Sequence, residues 1–161
     1  MTRGGTAIPE VQALLRVLAT GRDVAEMGAA YGETAAIMAE TARSVVTVER
    51  DPERLAVARR RLADLGNVEL LEGDVWERLP GRGPFGLVFV DGGLRPVTNE
   101  RWDAILGLVE PGGFLVKDDM SPGRPVEGDE IREFLLRDRR LAATEFLVVP
   151  EMAVIVAAKL G

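Results

Sequence analysis

The stretch Asp23 to Thr34 reads DVAEMGAAYGET: a short, largely apolar segment that runs into a loop punctuated by Gly28 and Gly32. Asp23 to Met27 has the length and composition of a strand, and glycine at 28 and 32 lets the backbone turn tightly and approach a ligand. Gly32 to Thr41 has helical spacing, so the free N–H groups of a helix start would face a carboxylate or phosphate held by the loop. Taken alone, a GxxxG loop is equally a steric turn, because glycines also end strands for packing reasons. The elements around it decide between the two.

Outward from this unit the alternation persists. Pro9 to Ala19 reads as a helix with Val11, Leu14, Leu15 and Leu18 on one face. Ser44 to Glu49 is a strand, and Pro52 to about Leu65 a helix with proline at its first position and Gly66 just beyond its end. Val68 to Leu71 is a third strand, and FGLVFV, Phe85 to Val90, is the apolar run of a central strand covered on both faces. Asn99 to Val109 is a helix, Phe114 to Val116 a strand and Glu127 to Arg137 a helix; the tail TEFLVVPEMAVIVAAK forms two strands joined by a tight turn. Steps of strand then helix require right-handed crossovers with helices on both faces. The closing strands have no helix between them, so one must run antiparallel. The expected fold is α/β: a doubly wound, mostly parallel seven-stranded sheet with a C-terminal antiparallel hairpin. No linker divides the chain, so residues 1–161 are expected to form one domain.

Composition narrows the chemistry. With 26 acidic and 20 basic residues the net charge is -6, which repels a nucleic-acid backbone or an anionic membrane. A small neutral or metal-bridged ligand is the expected partner. The chain has no Cys and no His, which removes thiolate nucleophiles, His-based triads and ordinary zinc sites. The first twenty residues lack the layout of a secretory leader, and FLVVPEMAVIVAA is too short and interrupted to span a bilayer, so a cytoplasmic protein is expected.

In doubly wound sheets ligands bind beyond the carboxyl ends of the strands, where the strand order reverses. The second strand ends in Glu49, about twenty residues past Gly28, where an acid typically accepts hydrogen bonds from adenosine ribose hydroxyls. The third ends in Gly73-Asp74-Val75; Asp74 is either an acceptor for an adenine amino group or the N-cap of the next short segment. The fourth ends in Asp91, and the fifth in the adjacent pair Asp118 and Asp119 of GFLVKDDMSPG. Three carboxylates meeting at one spot repel and raise one another's pKa, a cost that a divalent cation removes. Oxygen-only ligation suits Mg²⁺, Ca²⁺ or Mn²⁺. The alternatives are a cap or turn role for Asp119 and a salt bridge from Asp118 to Lys117.

These segments, in this order, resemble the class I S-adenosylmethionine-dependent methyltransferases with a Rossmann-like sheet, and among them the metal-dependent catechol and caffeoyl-CoA type O-methyltransferases. The resemblance runs from about Ile8 to Lys159 and rests on EMGAAYGET, VVTVERDPERLAVAR, VELLEGD, FGLVFVDGG, LVEPGGFLVKDDM and the closing hairpin. It implies that Glu26, Gly28, Ala29, Gly32 and Thr34 hold the methionine end of S-adenosylmethionine, Glu49 and Arg50 its ribose, and Gly73, Asp74 and Val75 its adenine. Asp91 would border the cofactor and, with Asp118 and Asp119, hold Mg²⁺. The ion would bind two adjacent oxygens of a small catechol-like or phenolic acceptor and acidify the hydroxyl to be methylated. The family's usual general base, a lysine three residues after the fourth-strand Asp, is here Leu94. Lys117 or Arg95 would then assist, or the metal alone acidifies the hydroxyl, the option favoured because Arg is a poor base. The family's N-terminal helices are largely absent before Ile8, and a homodimer is compatible with the resemblance. Two alternatives stand beside it: a nicotinamide-dependent oxidoreductase, disfavoured because Ala30 and Glu33 break the G-x-G-x-x-G spacing, and a non-catalytic or metal-independent cofactor-binding protein.

Overall fold

The computed structural model describes residues 5–92 and 94–161; the start of the segment read for a leader and Gly93 of the DGG loop lie outside the described residues. Helix α1 (Pro9–Ala19) leads into β1 (Asp23–Met27), α2 (Glu33–Ala39), β2 (Ser44–Glu49), α3 (Pro52–Leu62), β3 (Val68–Glu72), α4 (Val75–Arg78) and β4 (Phe85–Val90). Then come α5 (Asn99–Leu108), β5 (Val109–Met120), α6 (Glu130–Arg137), β6 (Leu141–Val149) and β7 (Met152–Lys159). The strands form one seven-stranded sheet in the order β3-β2-β1-β4-β5-β7-β6. Of these only β7 runs against its neighbours, pairing antiparallel with β5 and β6. The sheet is therefore the α/β, Rossmann-like, mostly parallel one expected from the sequence.

Two apolar layers cover the sheet. On one face Val11 and Leu15 of α1, Met38 of α2 and Leu62 of α3 pack against Val24, Leu87 and Phe89. On the other Trp102 and Ile105 of α5 and Leu135 of α6 pack against Ala25, Val88 and Leu115. All six residues of β4 are buried, as its unbroken apolar run requires. The chain order reverses between β1 and β4, which opens a crevice at their carboxyl ends.

Differences from the sequence reading lie at element ends. β5 begins at Val109, because Glu110 to Gly113 continue the strand through a register irregularity against β4, where a loop was expected. α6 begins three residues later than expected, capped by Asp129, whose side chain accepts the Arg132 N–H. The short α4, capped by Asp74, was not assigned; four residues give too little periodicity to read. Gly32 caps α2 at φ 79, and a Cβ there would stand 3.2 Å from Leu62 and 3.3 Å from the Ala58 backbone. Gly32→Ala is expected to cost about 2 kcal/mol in denaturant unfolding, combining left-handed strain with crowding of α3. A variant as stable as the parent would show that α3 yields freely.

Candidate functional site

The crevice beside the β1/β4 reversal is a cleft of about 330 Å³. Its wall includes Gly28, Glu49, Arg50, Gly73, Asp74 and Val75, all expected from the strand ends. Gly28 has φ 105, a conformation that favours glycine, where the loop passes Gly92 at the end of β4. Arg95, named from the sequence as a possible assisting residue, also lines it, as do Trp76, Arg54 and Arg101, which were not expected there. Trp76 follows Val75 directly and was within reach of the strand-end reading. Arg101 comes from α5, and its guanidinium lies 4.8 Å from the Trp76 ring centre, a contact with no local sequence signal.

Glu49 is the latch of this cleft. Its Oε2 accepts the Ala30 N–H at 2.7 Å, and Oε1 accepts the N–H groups of Arg50 at 2.9 Å and Asp51 at 2.8 Å. The carboxylate thus ties the glycine loop to the end of β2 as well as facing the cleft. Asp74 accepts the Trp76 N–H at 2.9 Å as the α4 cap, one of the two roles left open for it, and its side chain also lines the cleft within 3.8 Å of Arg50.

Five expected cofactor residues lie outside this lining: Asp91, which belongs to the acidic cluster described below, and four that are buried. Glu26, Ala29, Gly32 and Thr34 are buried and are not part of the lining. The cause for Glu26 is strand alternation: its side chain enters the apolar layer beside its register partner Thr47, whose hydroxyl donates to Oε2 at 2.5 Å. Oε1 has no hydrogen-bond partner, and complete burial pushes the carboxyl up to about 8. Gly32 packs on α3, and the Ala29 N–H donates to the Val48 carbonyl at 2.8 Å.

Asp91, Asp118 and Asp119 come together at the ends of β4 and β5, with one carboxylate oxygen of each within 4.8 Å of the others. Adjacent strand residues normally point to opposite faces. Here the register of β5 against β7 shifts between Lys117 and Met120, and Asp119 adopts a left-handed φ of 56. That kink is what lets two neighbouring aspartates serve one cluster; Asp is among the few residues that tolerate the left-handed region. Asp118 is buried, and its Oδ1 lacks a hydrogen-bond partner. Lys117 lies beside it, its Nζ donating to the Asp118 carbonyl at 2.7 Å and standing 3.5 Å from Oδ1. Leu94, at the position of the expected general base, is a buried core residue.

A second cleft of about 250 Å³ adjoins the cluster, lined by Lys117, Asp119, Arg95, Arg124 and Arg132. Arg95 lines both clefts.

Burial pushes Asp91 up to about 6 and Asp118 to about 7; Lys117 opposes this, while Asp119 adds to it in both. In the unfolded chain these groups ionise near 3.8, and Glu26 near 4.5. The folded form therefore keeps protons that the unfolded form releases. This stabilisation is full at low pH and is lost as pH rises through the folded pKa values. Asp138 acts oppositely: hydrogen bonds from Arg140 hold it below the usual carboxylate range, so its contribution is lost only as pH falls below the ordinary carboxylate pKa. Without divalent ions, Tm is expected to fall by several degrees between about pH 5 and pH 8, and Asp118→Asn to flatten the slope. Thermal melts across that range check it; a Tm flat in the parent would contradict it.

With the geometry defined, comparisons place the chain among known proteins. Residues 24–113 match the methyltransferase domain family. A protein-L-isoaspartate O-methyltransferase of Azorhizobium caulinodans is 31% identical over 129 residues, covering 78% of this chain and 56% of that protein. The chain thus spans about half the length of the curated relatives it matches. The S-adenosylmethionine complex of the O-methyltransferase TomG from Streptomyces achromogenes, involved in tomaymycin synthesis, superimposes with a TM-score of 0.77 at 25% identity. That match covers 99% of this chain and 83% of TomG. An rRNA methylase from Streptococcus thermophilus gives a TM-score of 0.75 at 22% identity, covering 100% and 99%, and shares the fold. The chain belongs to the methyltransferase domain family. Its sheet has the class I methyltransferase fold, which favours methyl transfer over the nicotinamide alternative.

Proposed function

We propose that the chain transfers the methyl group of S-adenosylmethionine to an oxygen of a small catechol-like or phenolic acceptor, assisted by a divalent cation such as Mg²⁺ at Asp91, Asp118 and Asp119. The observation that carries this reading is the kinked end of β5, which brings two adjacent aspartates to the carboxylate of Asp91 and leaves the buried Asp118 Oδ1 without a hydrogen bond, the Lys117 ammonium standing 3.5 Å away. Oxygens on opposite sides of an ion stand about 4.2 Å apart around Mg²⁺ and about 4.8 Å around Ca²⁺, so oxygens within 4.8 Å of one another fit such a shell. When bound, the ion would lower the pKa of the acceptor hydroxyl. S-adenosylmethionine supplies the sulfonium methyl.

The chain's own residues provide placement. Glu49 and Arg50 would hold the ribose, and Gly73, Asp74 and Val75 the adenine, with Gly28 allowing close approach by the methionine end. Glu26, bonded to Thr47 across β1 and β2, would stand at the methionine end with Ala29, Gly32 and Thr34. Lys117 would balance the charge of the cluster or receive the acceptor proton, since no lysine stands at Leu94. Catalysis then rests mainly on proximity and alignment of the attacking oxygen.

The relatives named as protein-L-isoaspartate O-methyltransferases favour a second reading, a carboxylate acceptor on a protein. One experiment separates the two: methyl transfer to catechol and to an isoaspartyl peptide, each with Mg²⁺ and then with EDTA. The first reading expects catechol methylation that EDTA abolishes. Peptide methylation without catechol methylation would select the second, and activity unaffected by EDTA would remove the metal.

A further inference from the structure

We propose that the second cleft selects an acceptor bearing an anionic group, a carboxylate or phosphate, held by Arg95 and Arg124 at a distance from the oxygen that is methylated. This rests on the oxygen-acceptor reading above and adds the class of substrate. Four of the cleft's side chains are cationic: Arg95, Lys117, Arg124 and Arg132. Arg132 is fully engaged by Asp129, Glu145 and the Ser121 carbonyl, and Lys117 donates to the Asp118 carbonyl. Arg95 and Arg124 are exposed, and among the described residues neither makes a hydrogen bond or ion pair, with Asp119 or with anything else. In a chain of net charge -6, where most exposed arginines find a carboxylate partner, two unpaired guanidiniums lining one cleft next to an acidic cluster are a selective arrangement.

The charges divide the cleft into two ends. An anionic group is repelled by Asp91, Asp118 and Asp119 and attracted by guanidiniums, which bind carboxylate and phosphate as planar forks. An acceptor with its hydroxyls toward the aspartates and its anion toward Arg95 and Arg124 is thereby oriented by both. Arg95 also lines the cofactor cleft, so it lies where acceptor and cofactor would meet.

The test is calorimetric titration of the chain saturated with S-adenosylhomocysteine, without metal and with Mg²⁺, using 3,4-dihydroxybenzoate, 3,4-dihydroxyphenylphosphonate and catechol as probes. The anionic probes are expected to bind at least about tenfold more tightly than catechol, with the carboxylate and phosphonate arms showing which anion the fork prefers. Arg124→Gln should remove most of that preference, and the pair Arg95→Gln with Arg124→Gln should bring it to about one. S-adenosylhomocysteine affinity is measured alongside, since Arg95 borders that cleft; Arg124 does not, which keeps the single variant decisive. Equal binding of charged and neutral probes, no binding of any probe, or a preference that survives the double variant would overturn the inference. Mg²⁺-dependent methylation of catechol without anion preference would overturn this inference and leave the broader reading standing, whereas anion preference without methyl transfer would leave only an anion-binding cleft and remove both the acceptor reading and the inference that rests on it.

Discussion

Asp118→Ala is expected to lower methyl transfer to catechol by about a hundredfold at saturating cofactor and to abolish its response to Mg²⁺, with S-adenosylhomocysteine affinity within about threefold of the parent. The size follows from position. Asp118 is the buried member of the cluster, and its Oδ1 has no hydrogen bond to give up, so its removal takes away the least hydrated oxygen available to a cation. Asp119 is exposed and Asp91 only partly covered, so neither can reproduce a desolvated donor. Glu49→Ala should divide the effects the other way. It loses a ribose acceptor and also the bonds to Ala30, Arg50 and Asp51, so cofactor binding should weaken by at least about tenfold, while Mg²⁺ bound to the folded chain is retained. Calorimetry with S-adenosylhomocysteine and steady-state rates across Mg²⁺ concentrations measure both. Equal loss of cofactor binding in the two variants would mean that the clefts do not act separately.

The sheet was readable because its signals are redundant. FGLVFV can be covered on both faces only in a central strand, and each strand end carries a glycine or an acid at a position set by that architecture. The acid cluster was readable for the same reason, since the register of β4 against β5 pairs Val90 with Lys117 and so brings their following residues side by side. What escaped depended on side-chain direction. Glu26 lies in the motif but is fully buried beside Thr47, because one residue of alternation decides which neighbours a strand side chain meets. How Asp118 and Asp119 share a site depends on a left-handed residue and a register shift, and neither has a residue-level signature when the residue is not glycine. Trp76 with Arg101, and Arg95 with Arg124, join segments far apart in sequence, and such pairings follow from topology alone.

Arg132→Met is the substitution expected to damage the fold most. Arg132 has 1% of its side chain exposed, and its Nε and Nη2 grip Glu145 of β6 at 2.8 and 2.7 Å. Nη1 reaches Asp129 at 2.6 Å, and Nη2 also donates to the Ser121 carbonyl at 2.7 Å. One guanidinium thereby joins α6, the edge strand β6 and the segment just after the Asp118–Asp119 kink. Removing one partner of a buried pair costs about 3 to 5 kcal/mol, because the other charge is left without compensation. Here Asp129 and Glu145 keep 16% and 22% of their side chains exposed and can take up water, so the lower end, about 3 kcal/mol, is expected. For a chain of this size that corresponds to a fall in Tm of about 6 to 12 °C. Arg132→Lys keeps the charge but not the fork, and should fall between parent and Met variant. Because the Ser121 carbonyl also loses its donor, Mg²⁺ should bind the Met variant more weakly than the parent at a temperature where both are folded. Denaturant unfolding and Mg²⁺ titration test the two effects separately. A loss below about 1 kcal/mol would show that water replaces the guanidinium freely, and unchanged Mg²⁺ affinity would show that the aspartate kink is held by β5 and β7 alone.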